Sequence, residues 1–206
     1  MSRSNAEDYF VKYGILGPNH SSEAAKVLLR IQPDISTTNY ESPSKYVRET
    51  WSKIQDSDMS ANMNGVAFEL VLACVLILED LHPFYMSAEL QFVPNAKFDL
   101  LFYSHEVGPI VLSAKTSLRE RYKQADLEAL ALRAVYRRSK TFLITLEERE
   151  ARIVQSKIES GAVTSLDRCV VASSKDFDDL IRELHGFKMI QAPILPLVEK
   201  GRLVTK

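Results

Sequence analysis

Apolar positions recur along this chain with two different spacings, and the points where the spacing changes mark its elements. Ser22–Ile31 and Ser44–Ile54 read as helices, and Pro43 stands near the start of the second, where proline is tolerated. Gln32–Ser42 between them reads as a loop. Asn64-Gly65 opens a strongly apolar helix that runs to about Asp80. Three short apolar runs follow, Met86–Val93, Phe98–Tyr103 and Ile110–Ala114, and their separating turn residues predict antiparallel strands. Arg121–Arg138, rich in Ala and Leu, is the clearest helix. Thr141–Leu146 then reads as a strand, Glu147–Glu159 as a helix, Cys169–Ala172 as a strand and Lys175–Leu184 as a helix. The tail from Met189 holds Pro193 and Pro196 and forms no long helix. This order predicts an α/β protein with a mixed sheet covered by helices.

At 206 residues and 46% hydrophobic content the chain has enough apolar surface for one folded domain. Its net charge of -1 announces no nucleic-acid binder. The distribution says more. Lys115–Lys140 carries eight Lys/Arg against three Asp/Glu, while the rest of the chain is acidic on balance. Such a strip suits either phosphate or a solvated helix face. Cys74 and Cys169 each sit in an apolar run and read as small buried residues, with no disulfide framework. The N-terminus is polar and has no signal-peptide pattern. The apolar run Leu70–Leu78 is far shorter than the ~20 residues of a membrane span. A soluble, cytoplasmic protein is expected.

The candidate chemistry lies around the second and third strands. If Ser104–Gly108 closes a hairpin, Tyr103 pairs with Pro109, and counting back sets Asp99 opposite Ser113. Alternation then gives Asp99, Ser113 and Lys115 one face. Alone, the Asp99–Lys115 couple also reads as a surface salt bridge. Glu128 adds to it. On a helix in which Asp126 and Arg133 mark the polar side, Glu128 falls among Ala125, Ala131, Leu132 and Val135. A buried carboxylate there is costly unless it is paired or binds a metal. Glu69 repeats the pattern as the one acid between Gly65 and Leu78, although an acid in a first helical turn is also favoured by the helix dipole. Such a cluster fits phosphodiester cleavage. Hard oxygen ligands hold Mg²⁺, and a neighbouring lysine orients or deprotonates the attacking water. Other chemistries find less support. The histidines His20, His82, His105 and His185 are scattered, and there is no P-loop and no G-x-S-x-G elbow.

Phe98-Asp99, followed by Ser113-Ala114-Lys115-Thr116-Ser117-Leu118-Arg119-Glu120-Arg121, resembles the PD-(D/E)xK nucleases. The stretch is most similar to the type II restriction endonucleases that read CCGG, CCNGG or CCWGG, the EcoRII/NgoMIV-like branch. In that branch a small residue replaces the acid two before the lysine, and the acid moves to the following helix as S-x-K, twelve residues, then Glu. Ser113-Ala114-Lys115, Thr116–Leu127 and Glu128 keep that count. The resemblance covers roughly 64–140, and Phe98 stands where the motif name has Pro.

The resemblance implies a restriction-endonuclease-like core over 64–185, preceded by a helical arm over 1–60, in a single nuclease domain. Its implied cofactor is Mg²⁺, near Asp99, Glu128, Ala114 and Glu69. Asp99 would bridge the metal or metals, Glu128 would be the displaced ligand, and Lys115 would position the water. Glu69 would act through water on an outer or second metal, and Ser113 would be small to leave room for Glu128. Arg119-Glu120-Arg121 matches the branch's element for reading G·C pairs, although both arginines also suit phosphates. Lys123, Arg137 and Arg138 are the phosphate candidates. The implied partners are double-stranded DNA at a G·C-containing palindrome and a second copy of the chain, with no membrane. Alternatives are a repair or junction-resolving nuclease of the same fold and an inactive DNA-binding module.

Overall fold

Serine caps open four of the helices in a computed structural model, which describes residues 9–17, 22–57, 60–192 and 198–205. The described elements are α1 (Tyr9–Lys12), α2 (Glu23–Ile31), α3 (Pro43–Gln55), α4 (Ala61–Leu78), β1 (Phe84–Leu90), β2 (Phe98–Ser104) and β3 (Gly108–Lys115). They continue with α5 (Arg121–Val135), β4 (Lys140–Thr145), α6 (Glu148–Glu159), β5 (Arg168–Val171), α7 (Lys175–Leu184) and β6 (Val198–Val204). Ser22, Ser42, Ser60 and Ser174 accept backbone N–H groups in the first turns of α2, α3, α4 and α7, satisfying donors that have no helical partner. The Ser60 cap starts α4 three residues before the expected Asn64. A 3-10 turn over Ile35–Thr37 interrupts the expected loop.

The strand order is β5-β4-β3-β2-β1-β6. β3, β4 and β5 run parallel, while β2, β1 and β6 add antiparallel neighbours. The sheet is therefore mixed, as the apolar pattern predicts. Its two faces are both covered. Leu100, Phe102, Leu112, Ala114 and Ile144 pack in one cluster with α2, α3, α4 and α7. Leu101, Val111 and Leu143 face the side of α5 and α6. Alternation along each strand sorts these residues between the faces. Within α4, Ala67, Phe68 and Leu70–Ile77 are buried, so no polar stripe is available to it. No helix among the described residues is long and apolar enough to cross a membrane.

Three expectations shift. β1 covers Phe84–Leu90 rather than Met86–Val93, because Phe92 and Asn95 take left-handed backbone conformations and turn the chain before β2. α5 ends at Val135, and Arg137 and Arg138 lie in the turn after it. The last strand, β6, has no counterpart in the sequence reading. It pairs with β1 through Phe84–Val204, Tyr85–Leu203 and Met86–Arg202. Pro193 and Pro196 lie outside the described residues.

Candidate active site

The β2–β3 hairpin sets the first pair of functional groups. Tyr103 pairs with Pro109 and Leu100 with Leu112, one step before Asp99 and Ser113. Asp99 Oδ2 accepts from Lys115 Nζ at 2.7 Å, from the Ala114 backbone N–H at 2.8 Å and from Ser113 Oγ at 3.4 Å. Both charged side chains are mostly buried, at 14% exposure for Lys115 and 16% for Asp99. This is no loose surface salt bridge. Three donors hold one carboxylate oxygen, and no hydrogen bond reaches the other from the described residues. The pair stands where β3 ends, on the side where β4 and β5 also end. Open α/β sheets present ligands outside the carboxyl ends of their parallel strands.

Two helices bring further carboxylates to this end from opposite faces. Glu128 of α5 is half-buried, and its Oε1 accepts from Gln124 Nε2 at 2.8 Å. Burial is the main cause that holds its carboxyl above the usual range, opposed by the Gln124 hydrogen bond and by Lys115, with Asp99 adding to the rise. Glu69 of α4 is also half-buried. Its carboxyl is pushed up to about 7, chiefly by burial and next by Asp99, against the pull of Lys115, Lys97 and Arg202. Lys115 and Asp99 thus act electrostatically on both glutamates. The donor set is all oxygen, which suits a hard divalent cation. Among the described residues no three His, Cys, Asp or Glu side chains come together as a ready-made metal cage.

The rotation of α5 differs from the expected one. Its buried residues are Tyr122, Ala125, Ala129 and Leu132. Asp126 and Arg133, read as the solvent side, instead anchor the helix to the segment before β5. Asp126 accepts from the Ser165 N–H at 2.7 Å, and Arg133 pairs with Asp167 at 2.9 Å. Leu127 and Leu130 face outward. The helix is therefore turned by roughly a quarter turn, and Glu128 lies at the rim of the buried face rather than in its middle. A rim position leaves it open to the site.

The segment after Lys115 is held by α6. Glu150 Oε2 accepts from the backbone N–H of Leu118 at 2.5 Å and of Arg119 at 3.4 Å. Arg119 has a φ of 28°, a conformation that persists only where the surroundings impose it. Arg119 and Arg121 are exposed, and no described residue pairs with either side chain. Glu120 and Lys123 are exposed too and form an ion pair with each other. Arg137 and Arg138 are not brought to this group. They follow the far end of a 15-residue helix, roughly 20 Å along its axis from Arg121.

Two residues absent from the sequence reading line the same cleft as Glu69 and Asp99, a cavity of about 370 Å³. They are Lys97, just before β2, and Arg202 of β6. Lys97 sits in the irregular segment before β2 and looks like any exposed lysine. Arg202 reaches the cleft only because β6 pairs with β1, and no local pattern announces that pairing. No family model, curated protein or solved structure matches the chain.

The raised Glu69 carboxyl has a testable effect on stability. The folded chain holds this proton between an ordinary 4.5 and about 7, where the unfolded chain releases it. Stability must then fall as pH rises through that window and stay lower above it. Glu69→Gln is expected to flatten the slope and raise the unfolding free energy at pH 8 by on the order of 1–2 kcal/mol. Urea unfolding at pH 5 and pH 8 measures this. An unchanged slope in Glu69→Gln would refute the assignment.

Proposed function

We propose that this chain is a Mg²⁺-dependent DNA endonuclease of the type II restriction class, with a PD-(D/E)xK site in its S-x-K-x12-E form. The observation that carries this reading is the shielded Asp99–Lys115 pair at the end of β3, with Glu128 of α5 and Glu69 of α4 each within electrostatic reach of both charges. Asp99, Glu128 and the Ala114 carbonyl would hold the metal, and Glu69 would act as an outer acid through water. Mg²⁺ ordinarily takes only one or two carboxylates from the protein, with waters and substrate phosphate completing its shell. When bound, it supplies a lowered pKa for water and charge stabilisation at phosphate. Lys115 holds the attacking water beside the scissile phosphate and stabilises hydroxide as it forms. Asp99 keeps the Lys115 ammonium in place. Ser113 leaves space for the glutamate from α5. A palindromic site cut on both strands calls for two copies of the chain, so a homodimer belongs to the proposal.

The test is incubation of purified protein with plasmid DNA and Mg²⁺, followed by mapping of the ends. Discrete fragments with one repeated end sequence support a restriction enzyme. Metal-dependent cutting without sequence preference points to another nuclease of the same fold, and binding without cutting to a DNA-binding module.

Arg119 and Arg121 are assigned to base reading, since guanine O6 and N7 match an arginine fork. Arg119→Ala or Arg121→Ala should weaken binding to the cognate duplex by roughly 1–3 kcal/mol and leave random duplex nearly unchanged. Binding titrations in Ca²⁺, which blocks cutting, make the comparison. Equal losses on both duplexes would assign the two arginines to phosphates instead.

A further inference from the structure

The cleft also carries two cations that the metal-site residues do not account for. Arg202 and Lys97 line the same cavity as Glu69 and Asp99. Arg202 is half-buried, and its Nε is fully buried with no hydrogen-bond partner among the described residues. A buried donor without an acceptor is ordinarily avoided. Glu69 acts electrostatically on Arg202, yet among the described residues no ion pair joins Glu69 to Arg202 or to Lys97. The two charges flank open space instead of closing on each other. β1 is irregular at this point, with a register shift between Met86 and Glu89 and Ser87 at a φ of 52°. Bulges of this kind are common beside functional sites. Arg202 is itself opposite Met86, so its side chain enters the cleft next to the irregularity.

We propose that Arg202, assisted by Lys97, is a phosphate-holding arm of the cleft, taking the oxygens of a phosphate group on the Glu69 side of the site. The two terminal NH₂ groups of an arginine can donate to two phosphate oxygens, and Arg202 lines the cavity that a phosphate would enter. That the phosphate belongs to a DNA backbone, next to the one cut, rests on the nuclease reading. The arm itself does not. The C-terminal strand then has a role beyond closing the sheet edge, because pairing with β1 delivers the arginine.

Two measurements on the full chain separate these claims. The first is the rise in Tm on adding inorganic phosphate, for wild type, Arg202→Gln, Arg202→Lys and Lys97→Gln. Wild type should be stabilised, Arg202→Gln should lose the rise, and Arg202→Lys and Lys97→Gln should each keep part of it. Lys97 is exposed, so Lys97→Gln tests the arm without disturbing the packing of β6. The second is duplex binding in Ca²⁺ across a salt series, where Arg202→Gln should lower the slope of log K against log salt by about one. A full phosphate rise and an unchanged salt slope in Arg202→Gln would overturn the proposal. A phosphate rise that depends on Arg202 in a protein that binds no duplex would uphold the arm and overturn the nuclease reading.

Discussion

Under the proposed nuclease function, Lys115→Ala is expected to lower DNA cleavage by about a hundredfold or more while leaving duplex binding in place. The expectation follows from where the amine sits. Its Nζ lies 2.7 Å from Asp99 Oδ2, and both side chains are largely shielded from water. In such a setting electrostatic interactions are stronger than in bulk solvent, so the ammonium can hold a water and stabilise the hydroxide that forms from it. No other amine from the described residues bonds Asp99. Lys115→Arg should not restore activity, because a planar fork cannot replace a compact ammonium on a short approach. Asp99 keeps its bonds to the Ala114 N–H and to Ser113 in the alanine variant, which argues for an intact fold. Single-turnover cleavage of plasmid DNA, with Tm recorded alongside, is the measurement. Full activity in well-folded Lys115→Ala would end the mechanism.

Loss of the displaced acid should be as severe. Glu128→Ala is expected to remove ~10²-fold or more of the cleavage rate, since several kcal/mol of metal-dependent stabilisation depends on ligand oxygens. Its stability should not suffer, because burial disfavours the Glu128 carboxylate in the first place. This combination separates a metal ligand from a structural acid. The double change Ser113→Glu with Glu128→Ala returns the carboxylate to the strand. Ser113 is buried and its hydroxyl touches Asp99, so a glutamate there puts two carboxylates together. Divalent cation would have to offset that repulsion, and any recovered activity should rise steeply with Mg²⁺. Cleavage by Glu128→Ala at the wild-type rate would reduce Glu128 to an ordinary helix acid.

Much of this arrangement is legible in the sequence because it depends on near neighbours. Alternation in Phe98–Ser104 and Gly108–Lys115, with a tight turn between, is enough to pair Tyr103 with Pro109 and bring Asp99 to Lys115. A shift of two residues in the register would separate the two charges, so their meeting depends on the length of the turn. The mixed sheet and the long apolar helix α4 also follow from periodicity and length. The strip Lys115–Lys140 reads as one basic segment, but α5 divides it. Arg119, Arg121 and Lys123 stay at the site end, whereas Arg137 and Arg138 lie beyond the other.

Local pattern thus accounts for most of the elements and for the hairpin register that brings Asp99 to Lys115. The rotation of α5 and the residues that complete the cleft depend on contacts between distant segments. The expected rotation of α5 takes Asp126 and Arg133 as its polar side. In the fold, Asp126 and Arg133 bond to Ser165 and Asp167, more than thirty residues away in sequence, and those contacts outweigh a modest apolar preference. β6 is the same case at the sheet edge. A short strand that carries Glu199, Lys200, Gly201 and Arg202 has little strand propensity of its own, and it forms because the edge of β1 offers unpaired backbone groups. Arg202 enters the cleft through that distant pairing. Periodicity reports which residues share a face, but the face that meets a partner is selected by contacts between segments far apart in the chain.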